Sequence, residues 1–344
     1  MRRGAAVLRD PFGAALRGRV LRLSPELMRH TPIPPGLGGA GRMMTERGRP
    51  CYLPPPVAEV VWMNGRITGR DEALVSAFDH GFLYGDSIYE TIRTSRGAPF
   101  LLDRHLRRMR NSAALIEMEL DREDGEYRAA ILETIAAGGA AESALRVVIT
   151  RGIGDIGYDP ALTRRRTTLI YVRPLEPIRD AAQRAGIRLS LLTRRRNDRE
   201  AVSPWIKSSN LLNNLLGWHE AQRHGAMEGV MLNREGFVAE GTMTNVFMVR
   251  DGVLWTPPVE IGLLPGITRE FTLELATADG LPVRVAPFRP EELLAADEVF
   301  ITGTTKAILP ATRVDEQVIG RGAPGPITTR LIGLFDAAED RLAG

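Results

Sequence analysis

Lysine is almost missing from this sequence. Of 45 Lys and Arg side chains in 344 residues, only Lys207 and Lys306 are lysines. Arginine stays protonated and cannot act as a nucleophile, so a chain that uses it as a general cation has reason to keep lysine where a free amine is needed. On the count alone, an arginine-favouring codon bias explains the scarcity equally well. Cysteine is scarcer still. The single Cys51 excludes an intrachain disulfide framework and a multi-cysteine metal site. The histidines (His30, His80, His105, His219, His224) are scattered without metal-ligand spacing, so no metal is expected. No apolar run reaches membrane-spanning length, and a cytoplasmic chain without membrane contact is the expectation.

The net charge of +3 conceals an asymmetry. Residues 1–50 carry ten Arg against Asp10, Glu26 and Glu46, or +7, which leaves −4 for the remainder. A mildly acidic body argues against nucleic-acid binding. Residues 1–56 show no sustained periodicity, and Pro-rich patches at 31–36 and 54–56 spoil an amphipathic targeting helix. They are expected to be a disordered extension, or the product of a start codon placed upstream of Met43, Met44 or Met63.

From Val57 the pattern becomes orderly. Val57–Met63 reads as a strand, Asn64-Gly65 as a hairpin turn and Arg66–Thr68 as the return. Ala73–Ala77 is a short apolar run. Asp103 is placed to cap a helix with Leu106, Met109, Ala113 and Ile116 at helical spacing, and a second helix spans Tyr127–Ala137. Strands follow at Leu145–Thr150 and Thr167–Val172, and residues 173–178 are the best linker candidate. Beyond them come a strand at Ile187–Leu192 and a helix at Leu211–Arg223, whose leucines 211, 212, 215 and 216 read as core packing. Strands at Gly229–Leu232, Phe237–Glu240, Asn245–Val249 and Val253–Trp255 read as antiparallel. A helix at Gly266–Ala278, a strand at Val299–Thr302 and a helix at Thr328–Ala338 close the chain. The expectation is an α+β protein of two domains, 57–172 and 179–344, without the βαβ rhythm of a doubly wound sheet.

Four stretches of the second half make chemical sense together. Lys207 is an amine just ahead of Ser208-Ser209-Asn210, read as a helix start whose positive end disfavours the charged form. Glu240 ends a strand and is followed directly by glycine. Gly266-Ile267-Thr268 opens a helix with free N–H groups, and Thr304-Thr305 forms a hydroxyl-rich turn. A helix N-terminus with threonines suits a phosphate. An amine, a carboxylate and a phosphate site together are what pyridoxal 5'-phosphate requires.

The order and wording of these stretches resemble the class IV aminotransferases, the fold type IV pyridoxal phosphate enzymes, from about Val61 to Leu334. The resemblance is carried by Asp79–Arg93, Leu102–Met109, Ile206–Leu212, Glu240-Gly241-Thr242, Leu264–Arg269 and Ala296–Phe300. It implies a small α/β domain, a larger β-barrel-like domain and a homodimer. By resemblance, Lys207 is the Schiff-base lysine and Glu240 partners the pyridine nitrogen. Arg108, Ile267, Thr268 and Thr304 contact the phosphate, while Tyr84, Tyr89, Arg93 and Thr305 face the substrate. Lys306 matches no Schiff-base lysine and is expected at the surface or the phosphate rim.

The family position is mixed. In the loop Thr150–Tyr158, Ile156 and Tyr158 stand where the D-amino acid aminotransferases that this loop resembles carry an Arg and a His. Asp155-Ile156-Gly157 is closer to branched-chain enzymes. The spacing after Lys207 looks more like the D-amino acid group, and Thr91 also resembles the lyases. The resemblance implies transamination of an apolar, branched-chain L-amino acid with 2-oxoglutarate. Aminodeoxychorismate lyase and D-amino acid or R-amine aminotransferase are the alternatives.

Overall fold

The computed structural model describes residues 59–175 and 178–343, so the reading of residues 1–56 lies outside it. The described residues belong to one compact unit containing two large sheets. The first has six strands, in the order Arg66–Gly69, Val60–Met63, Thr168–Pro174, Ser143–Thr150, Ser87–Ser95 and Ala98–Pro99. All of its pairings are antiparallel. Its first hairpin turns at Asn64 (φ 51°) and Gly65 (φ 100°), the two left-handed residues that a tight turn matching strand twist requires.

Alternation along these strands decides what faces what. Ile88 and Ile92, Leu145, Val147 and Ile149, and Ile170 and Val172 are buried in one core with residues from helices Leu102–Leu115 and Asp124–Gly138. Tyr89, Thr91 and Arg146, between these buried positions, and Arg173, next after Val172, line the cavity described below. Arg173 and Pro174 therefore complete a strand, where a linker was expected. Asp103 lies in the first turn of its helix and does not cap it. The N-cap is Leu101, in the left-handed region at φ 53°, with no side-chain cap.

The second sheet runs Val238–Gly241, Glu228–Leu232, Ile187–Arg195, Ala307–Val314, Glu298–Gly303, Asn245–Arg250, Val253–Thr256 and Val283–Val285, with Gln317–Val318 paired to Ala307–Val314. It is mixed: Glu228–Leu232 lies parallel to Ile187–Arg195, and Val253–Thr256 parallel to Val283–Val285. Strand Ala307–Val314 had no expectation from sequence, and Ala73–Ala77 forms no strand. Helices Ile267–Ala278 and Pro326–Ala343 contribute Phe271, Leu331 and Phe335 to a core with Phe247 and Phe300. Among the described residues, no helix is long and apolar enough to cross a membrane.

Candidate active site

A cavity of about 600 Å³ is lined by residues from both sheets and by the segment that carries Lys207. Lys207 reaches it along a sheet edge. The Tyr89 N–H donates to the Lys207 carbonyl at 2.8 Å and the Ser209 N–H to the Ser87 carbonyl at 3.1 Å, with an antiparallel bridge between Ile88 and Ser208. The Lys207 N–H donates in turn to Ser112 Oγ at 3.1 Å. These bonds fix the backbone and leave the side chain over the Tyr89 ring, with Nζ 4.4 Å from its centroid. Arg146 stands 3.9 Å from the same centroid.

The expected helix start at Ser208-Ser209-Asn210 is absent. The helix runs Leu212–Arg223, its N-cap is Leu211, and no side chain caps it. Asn210 Nδ2 donates to the Gly85 carbonyl. Strand pairing, and not a helix dipole, presents the lysine. The leucines of this helix are not core either: Leu212, Leu215 and Leu216 are 66%, 48% and 37% exposed.

Glu240 lies on strand Val238–Gly241, buried, with Oε1 accepting from Arg196 Nε at 2.6 Å. Oε2 accepts from the Leu264 N–H at 3.1 Å and, more distantly, from Asn245 Nδ2 at 3.4 Å. Burial pushes its carboxyl above the ordinary range, and Arg196 and the Leu264 amide only partly offset that. It is an underpaired buried carboxylate.

Arg108 is held differently. Its Nε and Nη2 each donate to the Glu90 carboxylate at 2.7 Å, and Nη1 donates to the Pro265 carbonyl at 3.0 Å. The last bond sets Arg108 beside Gly266, the N-cap of helix Ile267–Ala278, which has no side-chain cap. A Cβ at Gly266 would lie 1.9 Å from Asn245 Oδ1, so only glycine permits this approach. Burial alone would raise the Glu90 carboxyl, but Arg108 and His105, whose Nδ1 lies 2.8 Å from Glu90 Oε2, hold it far below its usual range. Burial in turn lowers the His105 imidazole, and the contact with Glu90 offsets that only in part. Burial opposes the charge of Arg108 as well, yet Glu90 raises it overall.

The family model described as Amino-transferase class IV matches residues 87–314. A putative branched-chain-amino-acid aminotransferase from Methanocaldococcus jannaschii is 37% identical over 79% of this chain and 93% of its own length. The chain belongs to the class IV aminotransferases. A D-alanine aminotransferase from Bacillus licheniformis is 37% identical over 78% of this chain and 93% of its own. An aminodeoxychorismate lyase from Bacillus subtilis is 34% identical over 75% and 87%. Among solved structures, the branched-chain amino acid aminotransferase of Thermobaculum terrenum in its pyridoxal phosphate form superposes with a TM-score of 0.75 at 29% identity, over 82% of this chain and 94% of that one. The fold is type IV, and the protein is a pyridoxal phosphate-dependent enzyme.

The cavity residues fit that cofactor. Lys207 offers the amine, and the incompletely compensated Glu240 suits a charged ring N–H. Arg108, Ile267, Thr268 and Thr304 line the same cavity with the uncapped helix start. Thr302 Oγ1, also in the lining, is buried and without a hydrogen-bond partner among the described residues. Tyr89 and Thr305 are in the lining too.

Two expected substrate residues are not brought there. Arg93 is 1% exposed, ion-paired with Glu339, and packed against Phe100 and Phe335. At the far end of its strand, it joins the first sheet to helix Pro326–Ala343. Tyr84 lies in the short helix His80–Tyr84, where its hydroxyl accepts from the Gly157 N–H and its ring meets His80 and Tyr158. The loop residues Ile156 and Tyr158 are exposed and outside this chain's cavity. Lys306, expected at the surface or the phosphate rim, is partly buried: it lines the cavity beside Thr304 and pairs with buried Glu228.

Sequence reasoning missed Glu90, Arg196, Asn245, Arg146 and Arg173. Glu90 stands inside a motif-bearing stretch and was legible as a charge on the buried side of an alternating strand. The others carry no local signal. Among the described residues, no group of three or more His, Cys, Asp or Glu could hold a metal ion.

Proposed function

We propose that this enzyme transaminates an apolar, branched-chain L-amino acid with 2-oxoglutarate. The observation that carries this reading is the composition of the cavity wall. Val202, Ile206, Leu211, Leu215 and Trp218 supply apolar surface, while Arg146 and Arg173 supply two guanidiniums from adjacent strands of the other wall. An aliphatic side chain suits the first group. The distal carboxylate of a dicarboxylic keto acid suits the second, because arginine binds carboxylates with paired donors.

Bound pyridoxal phosphate supplies an electron sink for the pair left when the substrate Cα–H bond breaks. The chain does the rest. Arg108, the N–H groups of Ile267 and Thr268, and the Thr304 hydroxyl would hold the phosphate, and Glu240 would hold the ring N–H. The Lys207 amine takes the Cα proton as a general base and returns it later. Tyr89 keeps that amine in place through its ring, and Thr305 lies on the turn beside the substrate.

We also place the enzyme as a homodimer. Phe78, Phe82, Ile156 and Tyr158 are 55%, 72%, 72% and 91% exposed, a density of apolar surface that a second copy would cover.

A lyase or D-amino acid reading has its support in the relatives of comparable identity. A panel of L- and D-amino acids, amines and aminodeoxychorismate, assayed with and without 2-oxoglutarate, separates them. The expected outcome is turnover of leucine, isoleucine or valine only when the acceptor is present. Pyruvate released from aminodeoxychorismate without acceptor would sink the proposal. Lys207→Ala should lower turnover by roughly a thousandfold or more, because it removes the base assigned to the Cα proton.

A further inference from the structure

The two lysines of the chain line the same cavity. A codon bias that leaves two lysines gives no reason for both to be there. Lys306 enters from the turn between strands Glu298–Gly303 and Ala307–Val314, directly after Thr304 and Thr305. Its side chain is 23% exposed, and Nζ donates to Glu228 Oε2 at 3.2 Å.

Glu228 is wholly buried, and its carboxylate is the centre of the loop that follows Glu240. Its Oε1 accepts from the N–H groups of Gly229 and Thr242, both at 3.0 Å, and from the Thr242 hydroxyl. Its Oε2 accepts from the Thr244 hydroxyl at 3.2 Å. The loop admits no slack, since a Cβ at Gly241 would lie 2.1 Å from Thr244 Oγ1. The ammonium is therefore anchored to a fixed point of the cavity wall. It has three donors, and Glu228 takes one. An arginine fork could not meet this carboxylate in a bidentate fashion, because Oε1 is already occupied. That is a physical reason for lysine at this position.

We infer that Lys306 is a substrate-binding residue whose ammonium receives the α-carboxylate of the amino acid and keto acid substrates. The inference rests on the transamination reading above. The α-carboxylate is the anionic group common to both substrates. The other anions have their own partners: Arg146 and Arg173 for a distal carboxylate, and Arg108 with the start of helix Ile267–Ala278 for the phosphate.

Holoenzyme carrying Lys306→Met is titrated with 4-methylpentanoate, a carboxylate that lacks an amino group and binds without reacting, and the cofactor absorbance is followed. Its Kd should rise about tenfold to a hundredfold, the scale of one lost hydrogen bond to a charged group. The KM values for leucine and 2-oxoglutarate should rise together, with cofactor retention unchanged. An unchanged carboxylate Kd overturns the inference, whether or not cofactor is lost. If K306M does not fold, K306Q and K306R are titrated instead, and affinity must fall further with Gln than with Arg. Wild-type enzyme that binds the carboxylate through Lys306 but transaminates no amino acid would refute the reaction and leave the carboxylate site standing. Active enzyme indifferent to K306M would do the reverse.

Discussion

Glu90 and Glu240 are both buried, and each is paired with an arginine that lines the cavity, yet their environments push their carboxyls in opposite directions. Glu90 receives both donors of a bidentate arginine and a histidine as well. Glu240 receives one arginine nitrogen, one backbone amide and a long amide contact. The first is a finished ion pair that holds Arg108 still. The second keeps unmet demand for a cationic donor. Similar components thus yield a closed ion pair in one place and an incompletely compensated carboxylate in the other, and the number of charge-assisted bonds separates them.

Breaking the anchor should have the largest effect on the fold. Glu90→Gln leaves Arg108 buried without its counter-charge and is expected to cost about 3–5 kcal/mol in denaturant unfolding. Cofactor affinity should fall with it. Glu240→Gln should instead cost less stability than Glu90→Gln, because glutamine keeps one acceptor, for Arg196 or for the Leu264 amide, and removes a buried charge whose burial is only partly compensated. Its effect belongs to turnover, with kcat lower by roughly a hundredfold to a thousandfold, the scale for losing one aimed electrostatic partner. Equal stability losses in the two variants would erase the distinction.

The same contrast gives opposite pH slopes. The Glu90 carboxyl lies below its ordinary value of 4.5, so its stabilisation is full above that pH and is lost as pH falls through the folded value. Glu240 lies above the same ordinary value, so its contribution is full below 4.5 and is lost as pH rises through the folded value. Denaturant unfolding of cofactor-free protein from about pH 3 to 7 should show wild type gaining on Glu90→Gln as pH rises through the acid range. Over the same range it should lose ground to Glu240→Gln as pH climbs past 4.5. The smallest expected effect on catalysis comes from Arg93→Met. It removes one of two arginines paired with Glu339, and Arg179 remains, so the stability loss should be smaller than that of Glu90→Gln. The KM of the surviving enzyme should change less than about twofold, because Arg93 is outside the cavity.

Much was legible from residues alone. The strand alternation at 143–150 and 168–174 and the helices around 102–115 and 124–138 are carried by local period, and the family resemblance picked out Lys207, Glu240, Arg108, Thr268 and Thr304, which line one cavity. Arg93 and Tyr84 show where that wording stops. Both stand in the recognised stretch 79–93, but which side chains enter a cavity depends on which strand face and which end of the sheet they occupy. The leucines at 212, 215 and 216 teach the same lesson, since apolar spacing specifies a face without specifying what covers it.

The sequence by itself determined that this chain keeps two amines, and that one of them is followed in order by a strand-end carboxylate and a Gly-Ile-Thr helix start. Only the tertiary structure decided that both lysines share one cavity, and that an edge-strand pairing rather than a helix dipole presents Lys207. It also decided that Glu90 and Glu240 are unlike. The physical reason is that composition and period act over a few residues, whereas burial and charge compensation depend on groups brought together from distant parts of the chain, such as Arg196 with Glu240 and Lys306 with Glu228.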